Sequence, residues 1–500
     1  MLRKIRISFA LVFFTLITLL FLDFTGFFHA YFAWMAKMQF VPAFVAHNAI
    51  IVIALLLTVF VFGRLYCSVI CPLGVMQDII SWFSKKRKSK RKKPYKYSKP
   101  ITWLRWTLLA VFIILLAMFA NFAGFIDPYS AFGKIVASIV SPVYLLINNV
   151  FAHFAEQWDS YAFYSTDVWI KSGIVLGTSI VTFLIVGYLA WTKGRMYCNT
   201  VCPVGTLMGL VSRFSIFKPV INEEKCNKCG VCALNCKSQC INSKEQKIDY
   251  SRCVTCFDCT DKCAQKAIKY TYKPSKIKQK DITPKVETKN VDNSKRDFLA
   301  VSTLLATTTI LKAQESAFDG GLAVIEDKKI PTRDNQIVPP GAKNQKHFAK
   351  HCTTCQLCIS ACTNNVLRPS SDFATLMQPE MQFDRGYCRP ECTSCSKVCP
   401  TRAIEKITAE QKSSLKIGTA VWIEENCVVI TDGVTCTNCE RHCPVGAVSR
   451  VPFDPEKPRG LQIPVVDVER CIGCGACENL CPSRPFSAIY VEGSHEQIYV

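Results

Sequence analysis

Cysteine spacing limits what this chain can fold into more than any other feature: 24 of its 29 cysteines fall into six runs of four. Cys226, Cys229, Cys232 and Cys236 follow C-x2-C-x2-C-x3-C, as do Cys253, Cys256, Cys259 and Cys263; Cys352, Cys355, Cys358 and Cys362; and Cys471, Cys474, Cys477 and Cys481. Two runs vary the theme. Cys388, Cys392, Cys395 and Cys399 have a wider first gap, and Cys427, Cys436, Cys439 and Cys443 have a first gap of eight residues. Such runs suit 4Fe-4S cubanes, because three thiolates of one run bind one cluster and the fourth binds its neighbour, so that runs come in pairs. Structural zinc also takes four cysteines, but usually from two separated Cys-x-x-Cys pairs. Local disulfides between such close neighbours would be strained. The expectation is therefore six 4Fe-4S clusters held by these 24 cysteines.

Cys240 competes with Cys236 as fourth ligand of its run. The last ligand of other runs is followed four residues later by Ala-Ile, as in Ala267-Ile268 after Cys263 and Ala403-Ile404 after Cys399, and Cys240-Ile241 stands in that register. Cys236 is thus the expected ligand and Cys240 a small packing residue.

Half of the residues are hydrophobic, yet Lys and Arg number 60 against 38 Asp and Glu, so apolar and charged residues must be segregated along the chain. Four stretches approach the roughly 20 apolar residues of a spanning helix: Ile7 to Phe24, Phe44 to Phe62, Trp103 to Phe122 and Ser172 to Trp191. Basic residues gather at Arg3, Lys4 and Arg6, at Lys193 and Arg195, and in Lys85 to Lys93, where eight of nine are Lys or Arg. The positive-inside rule accounts for this charge better than nucleic acid does, and it places those segments in the cytoplasm. Ile135 to Phe151, interrupted by Pro142, is expected to be interfacial or re-entrant.

The apolar half contains an internal repeat. Gly63-Arg64-Leu65-Tyr66-Cys67 followed by Cys71-Pro72 matches Gly194-Arg195-Met196-Tyr197-Cys198 followed by Cys202-Pro203. Cys67, Cys71, Cys198 and Cys202 are the four thiols left once the six runs and Cys240 are set aside; they could bind a seventh metal centre, form a redox-active disulfide or shape the helix ends. Asp23, His29, His47, Asp127 and His153 fall near the outer ends of the expected spans, where ionisable residues could take protons from a quinol or be ordinary solvated loop residues. No Rossmann fingerprint, P-loop or Cys-x-x-Cys-His haem motif occurs, so nucleotide and c-type haem chemistry have no support.

These residues carry a resemblance. The half with the paired Gly-Arg-x-Tyr-Cys-x-x-x-Cys-Pro elements and the runs from Cys226 to Cys263 resembles the NapH/MauN membrane ferredoxins, which are linked to quinol oxidation beside periplasmic nitrate reductase. The half from Cys352 to Cys481 resembles NapG, their four-cluster partner, so the chain looks like a fusion of the two. The membrane half is also similar to the copper-reducing cytochrome oxidase accessory proteins and to the membrane part of nitrous oxide reductase regulators (CcoG/NosR-like). The expected architecture is an α-helical membrane bundle of four transmembrane helices (residues 1–215), an α+β ferredoxin-like two-cluster module (216–272), a Lys-rich linker (273–296), an apolar connector (297–346) and an α+β four-cluster module (347–500). Ser294 to Leu299 is similar to a twin-arginine export pattern, with Lys295 in place of the first arginine. If Phe298 to Leu311 acts as an uncleaved fifth anchor, the first module is cytoplasmic and the second lies outside the inner membrane. The implied partners are the bilayer, the menaquinone pool and a reductase or other redox protein, with copper reduction, maturation or redox sensing as the alternative.

Overall fold

The computed structural model describes residues 1–87, 95–159, 163–272 and 327–500. The expected linker, the Phe298 to Leu311 segment, the export-like pattern and most of the basic run lie outside the described residues.

Three helices among the described residues are long and apolar enough to cross a membrane: Leu2–Leu22, Pro128–Gln157 and Gly173–Lys193. At 1.5 Å per residue the first is about 31 Å long, close to the ~30 Å hydrocarbon thickness. At most 28% of the best apolar window of each is buried inside the protein, so most of that surface needs a lipid-like surrounding. The other two expected spans are shorter. Ala49–Phe62 has 14 residues and Thr102–Met118 has 17. The first begins after His47, whose φ of 54° breaks the preceding turn, with the Asn48 side chain accepting from the Ile51 N–H.

The expected re-entrant segment is instead part of one continuous helix. A π-helical stretch, Val136–Val140, sits just before Pro142. Shifting the hydrogen-bond register there accommodates the missing proline N–H, so the helix runs on to Gln157 rather than turning back. Sequence alone reads Pro142 as a break because it shows the lost donor and not the register shift.

The two repeats fold alike and clasp each other. Gly63 and Gly194 end their helices at φ of 75° and 69°, a left-handed geometry that suits glycine. Each run of chain then makes a short helix, Tyr66–Val69 or Met196–Thr200, and a second one opening on the proline, Pro72–Arg87 or Pro203–Ser212. Arg64 donates to the Cys198 carbonyl at 3.1 Å, while Arg195 donates to the Cys67 carbonyl at 2.5 Å. A Cβ on Gly74 would lie 2.3 Å from that Cys67 oxygen and one on Gly205 2.1 Å from the Cys198 oxygen, so both crossings depend on glycine.

The Cys-rich parts are built from short helices and two-stranded antiparallel sheets. Phe217–Ile221 pairs with Ile268–Tyr272 around the first two runs. Farther on, Leu367–Pro369 pairs with Pro379–Met381, Leu415–Trp422 with Ile489–Tyr499, and Val448–Pro452 with Gln462–Val466. These units sit at opposite ends of Leu2–Leu22. At its start Arg3 binds Asp258 at 2.8 Å and Asp261 at 3.0 Å. Near its end Phe21 packs on Gly133, whose backbone abuts Cys355. Lys171, donating to the Ile359 carbonyl at 3.2 Å, and Trp169, under the Arg368 and Arg385 guanidinium groups, add to this second junction.

Candidate iron–sulfur centres

The four regular runs share one backbone device. The residues before and after the second cysteine are left-handed in each: Lys228 and Gly230, Thr255 and Phe257, Thr354 and Gln356, Gly473 and Gly475. Positive φ at Lys, Thr, Phe and Gln is uncommon. Alternating hand along a turn gathers backbone N–H groups into a concavity that favours an anion, which suits a thiolate-ligated cluster. Two of the three glycines among them have a further reason: a Cβ on Gly473 would meet the Gly418 backbone at 2.5 Å, and one on Gly475 the Phe383 ring at 2.2 Å.

Side chains then meet three plus one. Cys226, Cys229, Cys232 and Cys263 line one cavity, whereas Cys253, Cys256 and Cys259 line another with Cys236. In the C-terminal unit Cys358 is pushed well up by burial and then by Cys355, Cys352 and Cys399. Cys395 is raised by burial and by Cys388, Cys362 and Cys392. Burial and then Cys481, Cys436 and Cys427 push Cys439 up to about 12. Cys474 reaches about 11 through burial, with Cys443 and Cys471 among its neighbours. The first run is therefore paired with the second and the third with the fourth, a choice that spacing leaves open. Thiols raised this far by burial and by one another stay protonated unless a positive metal holds them as thiolates, so these groups fit iron–sulfur clusters. Among the described residues no three His, Cys, Asp or Glu side chains are drawn together around a single ion.

Cys240 lies in the same cavity as Cys236, with their sulfurs 3.5 Å apart. The hydrogen bond between them lowers Cys236 and raises Cys240, which is also bonded to Cys253.

Cys67, Cys71, Cys198 and Cys202 come together inside the bundle, each 4–5% exposed. Cys202 is raised by burial and by Cys198, Cys71 and Cys67 in turn. Of the five ionisable residues expected near the outer ends of the spans, only Asp23 and His29 pair with each other, at 3.0 Å and buried. Asp127 caps its helix at Ser130, His47 faces His351 and His153 lies beside Gln157.

Sequence reasoning misses the cavity at the second junction, about 620 Å³ in volume. Its wall includes Asp23, Tyr164, Trp169, Lys171, Ile359 and Cys362. These residues come from three distant parts of the chain, and no local pattern marks them.

A model described as a 4Fe-4S binding domain matches residues 45–91 and 175–221, one copy on each repeat, and a 4Fe-4S dicluster domain matches 432–484, which holds the last three cysteines of the Cys427 run and all four of the Cys471 run. The chain is 35% identical over 92 residues to the uncharacterized protein MJ0749 of Methanocaldococcus jannaschii, covering 18% of this chain and only 35% of that one. It is 33% identical over 167 residues to the methylamine utilization ferredoxin-type protein MauM of Methylophilus methylotrophus, covering 32% of this chain and 72% of MauM. The ferredoxin-type protein NapF of Escherichia coli K12 is 30% identical over 158 residues, 31% of this chain and 87% of NapF. No solved structure matches. The Nap and Mau kinship expected from the motifs holds, although a NapH and NapG fusion as such is not among these likenesses. With most of MauM and NapF covered at 30% identity or more, the chain belongs to the ferredoxin-type 4Fe-4S proteins.

Proposed function

We propose that the chain is a membrane-bound electron carrier that holds six 4Fe-4S clusters in three two-cluster modules and oxidises a quinol, with menaquinol the expected one. The clusters supply one-electron redox chemistry; the chain positions them and binds the quinol. The observation that carries this is the junction cavity, whose wall holds both a carboxylate, Asp23, and a candidate cluster thiol, Cys362. Quinol oxidation must send protons and electrons along separate routes. Asp23 is a residue of the cavity wall whose carboxylate, 1% exposed, takes bonds from Thr25, Gly26 and the backbone and Nδ1 of His29, while Nε2 of His29 has no partner. A proton passed to Asp23 thus has a second acceptor in His29.

The basic residues before and after the spans favour a cytoplasmic location for the first module. Its position at the opposite end of Leu2–Leu22 from the four-cluster unit then supports an outer location for that unit. Copper reduction is less well supported, since an incoming ion would have to reach thiols that are 4–5% exposed.

The test is anaerobic addition of a menaquinol analogue to the full chain in detergent, following the loss of cluster absorbance. Asp23→Asn should slow that bleaching about 10²-fold or more with iron content unchanged. Burial holds His29 below the ordinary histidine value of 6.5, with Asp23 only partly opposing it. The rate should therefore persist as pH falls through ~6.5 and decline only below it, where His29 becomes charged and can no longer accept. Clusters that quinol leaves fully oxidised at every pH would overturn the proposal.

A further inference from the structure

We infer that Cys67, Cys71, Cys198 and Cys202 jointly hold a seventh iron–sulfur centre, one pair of thiols from each repeat, and that it relays single electrons between the Cys-rich units at the two ends of the bundle. The inference rests on the reading that those units carry clusters. Cysteines ligate both two-iron and four-iron clusters in fours, and neither repeat alone supplies four.

Three observations carry it. First, the two thiol pairs sit on related elements in a reciprocal frame: each repeat's arginine grips the other's cysteine carbonyl, and Gln77, on the helix after Cys71, reaches Cys198 of the other repeat. Second, N–H groups are aimed at the sulfurs. Arg64 Nη2 lies 3.8 Å from Cys67 Sγ, Gln77 Nε2 lies 3.2 Å from Cys198 Sγ, and the Gly205 N–H donates to Cys202 Sγ at 3.3 Å. Such donors stabilise thiolates and tune clusters. Third, Arg64 is fully buried and, among the described residues, has no carboxylate at ion-pair distance; its Nε has no partner at all. An isolated buried cation is costly, and a thiolate-ligated cluster supplies the missing negative charge.

Placement agrees with a relay. Arg64 also donates to the Ser251 carbonyl at 3.0 Å, two residues before Cys253. On the other side Tyr197 reaches the Ile126 carbonyl at 3.5 Å, and the helix that follows abuts Cys355 through Gly133. Cys67, Cys71, Cys202, Tyr129, Cys352 and Cys355 share one continuous buried core. In each step one electron enters as the neighbouring centre is oxidised and leaves as the next is reduced, with no bond made or broken.

The test is iron and acid-labile sulfide per chain, with Mössbauer spectroscopy, on the full protein purified anaerobically. Six clusters need about 24 iron atoms, and a seventh centre should bring the count to about 26 or 28. The Cys71→Ser/Cys202→Ser double variant should return to about 24 and lose one Mössbauer component while the ferredoxin components remain. A wild-type count of about 24 overturns the seventh centre whether or not the variant folds. Alkylation showing these four cysteines joined as disulfides in the anaerobic protein overturns it too. A wild-type count far below 24 would instead overturn the six-cluster reading, so the two failures are distinguishable.

Discussion

Replacing Cys362 by serine should eliminate the cluster of the next run, at Cys388, Cys392 and Cys395, and leave the one at Cys352, Cys355 and Cys358 intact. The basis is the crossing of fourth cysteines: Cys395 is raised by Cys362, whereas Cys358 is raised by Cys399. Iron should fall by about four atoms per chain, and Cys399→Ser should remove an equal amount from the other site. The two losses are told apart by EPR, because the surviving neighbour differs in burial and hydrogen bonding and hence in potential. Cys362 also lines the junction cavity. Its loss should therefore cut quinol-driven bleaching of the Cys427 and Cys471 runs at least tenfold, while dithionite still reduces them. If both variants erased the same signal, the pairing of first run with second would be wrong.

Asp78→Asn should destabilise the bundle by about 3–5 kcal/mol, the usual cost of leaving buried charge uncompensated. Asp78 bonds Arg6 at 2.9 Å and Arg195 at 2.9 Å, with Lys237 at 3.5 Å, and the side chains of Arg6 and Arg195 are 5% and 1% exposed. Asparagine keeps the shape and one acceptor but strands the two buried arginines, whereas Lys237 retains Asp258 at 3.3 Å. Against a total stability of about 5–15 kcal/mol, such a loss is severe. Arg195 also holds the Cys67 carbonyl, so the clasp between repeats should loosen with it. Denaturant titration of the full chain in detergent gives the value. A change under about 1 kcal/mol would mean that the network behaves like a solvent-exposed one.

A smaller effect is expected at Thr408, whose side chain accepts from the Gln411 N–H while Gln411 bonds back to the Thr408 N–H. Thr408→Ala should cost about 1 kcal/mol of this capping box, measurable as a lower unfolding midpoint.

The cysteine runs and the repeat are legible in the sequence, because the spacing of candidate ligands is local. Run pairing is not: Cys362 meets Cys388 through the fold of the intervening 25 residues, and nothing near either names the other. Helix extent is likewise half-legible. Hydropathy marks Ala49–Phe62 and Thr102–Met118 as apolar but not where turns at His47 and Phe119 end them. At Pro142 the breaker rule gives the wrong outcome because a π turn absorbs the fault. The cavity is invisible for a simpler reason, since residues 23, 171 and 362 meet only when both halves are folded.

The placement of Cys-rich units at opposite ends of Leu2–Leu22 has an energetic corollary. On the proposed membrane-spanning reading, every electron that travelled the full length would carry one elementary charge through the field of an energised bilayer. That journey is worth about 2.3 kcal/mol per 100 mV, favourable toward the positive side and unfavourable the other way. Transport through this protein would then be voltage-dependent, and respiration elsewhere in the same membrane could set its direction without any change in the protein itself.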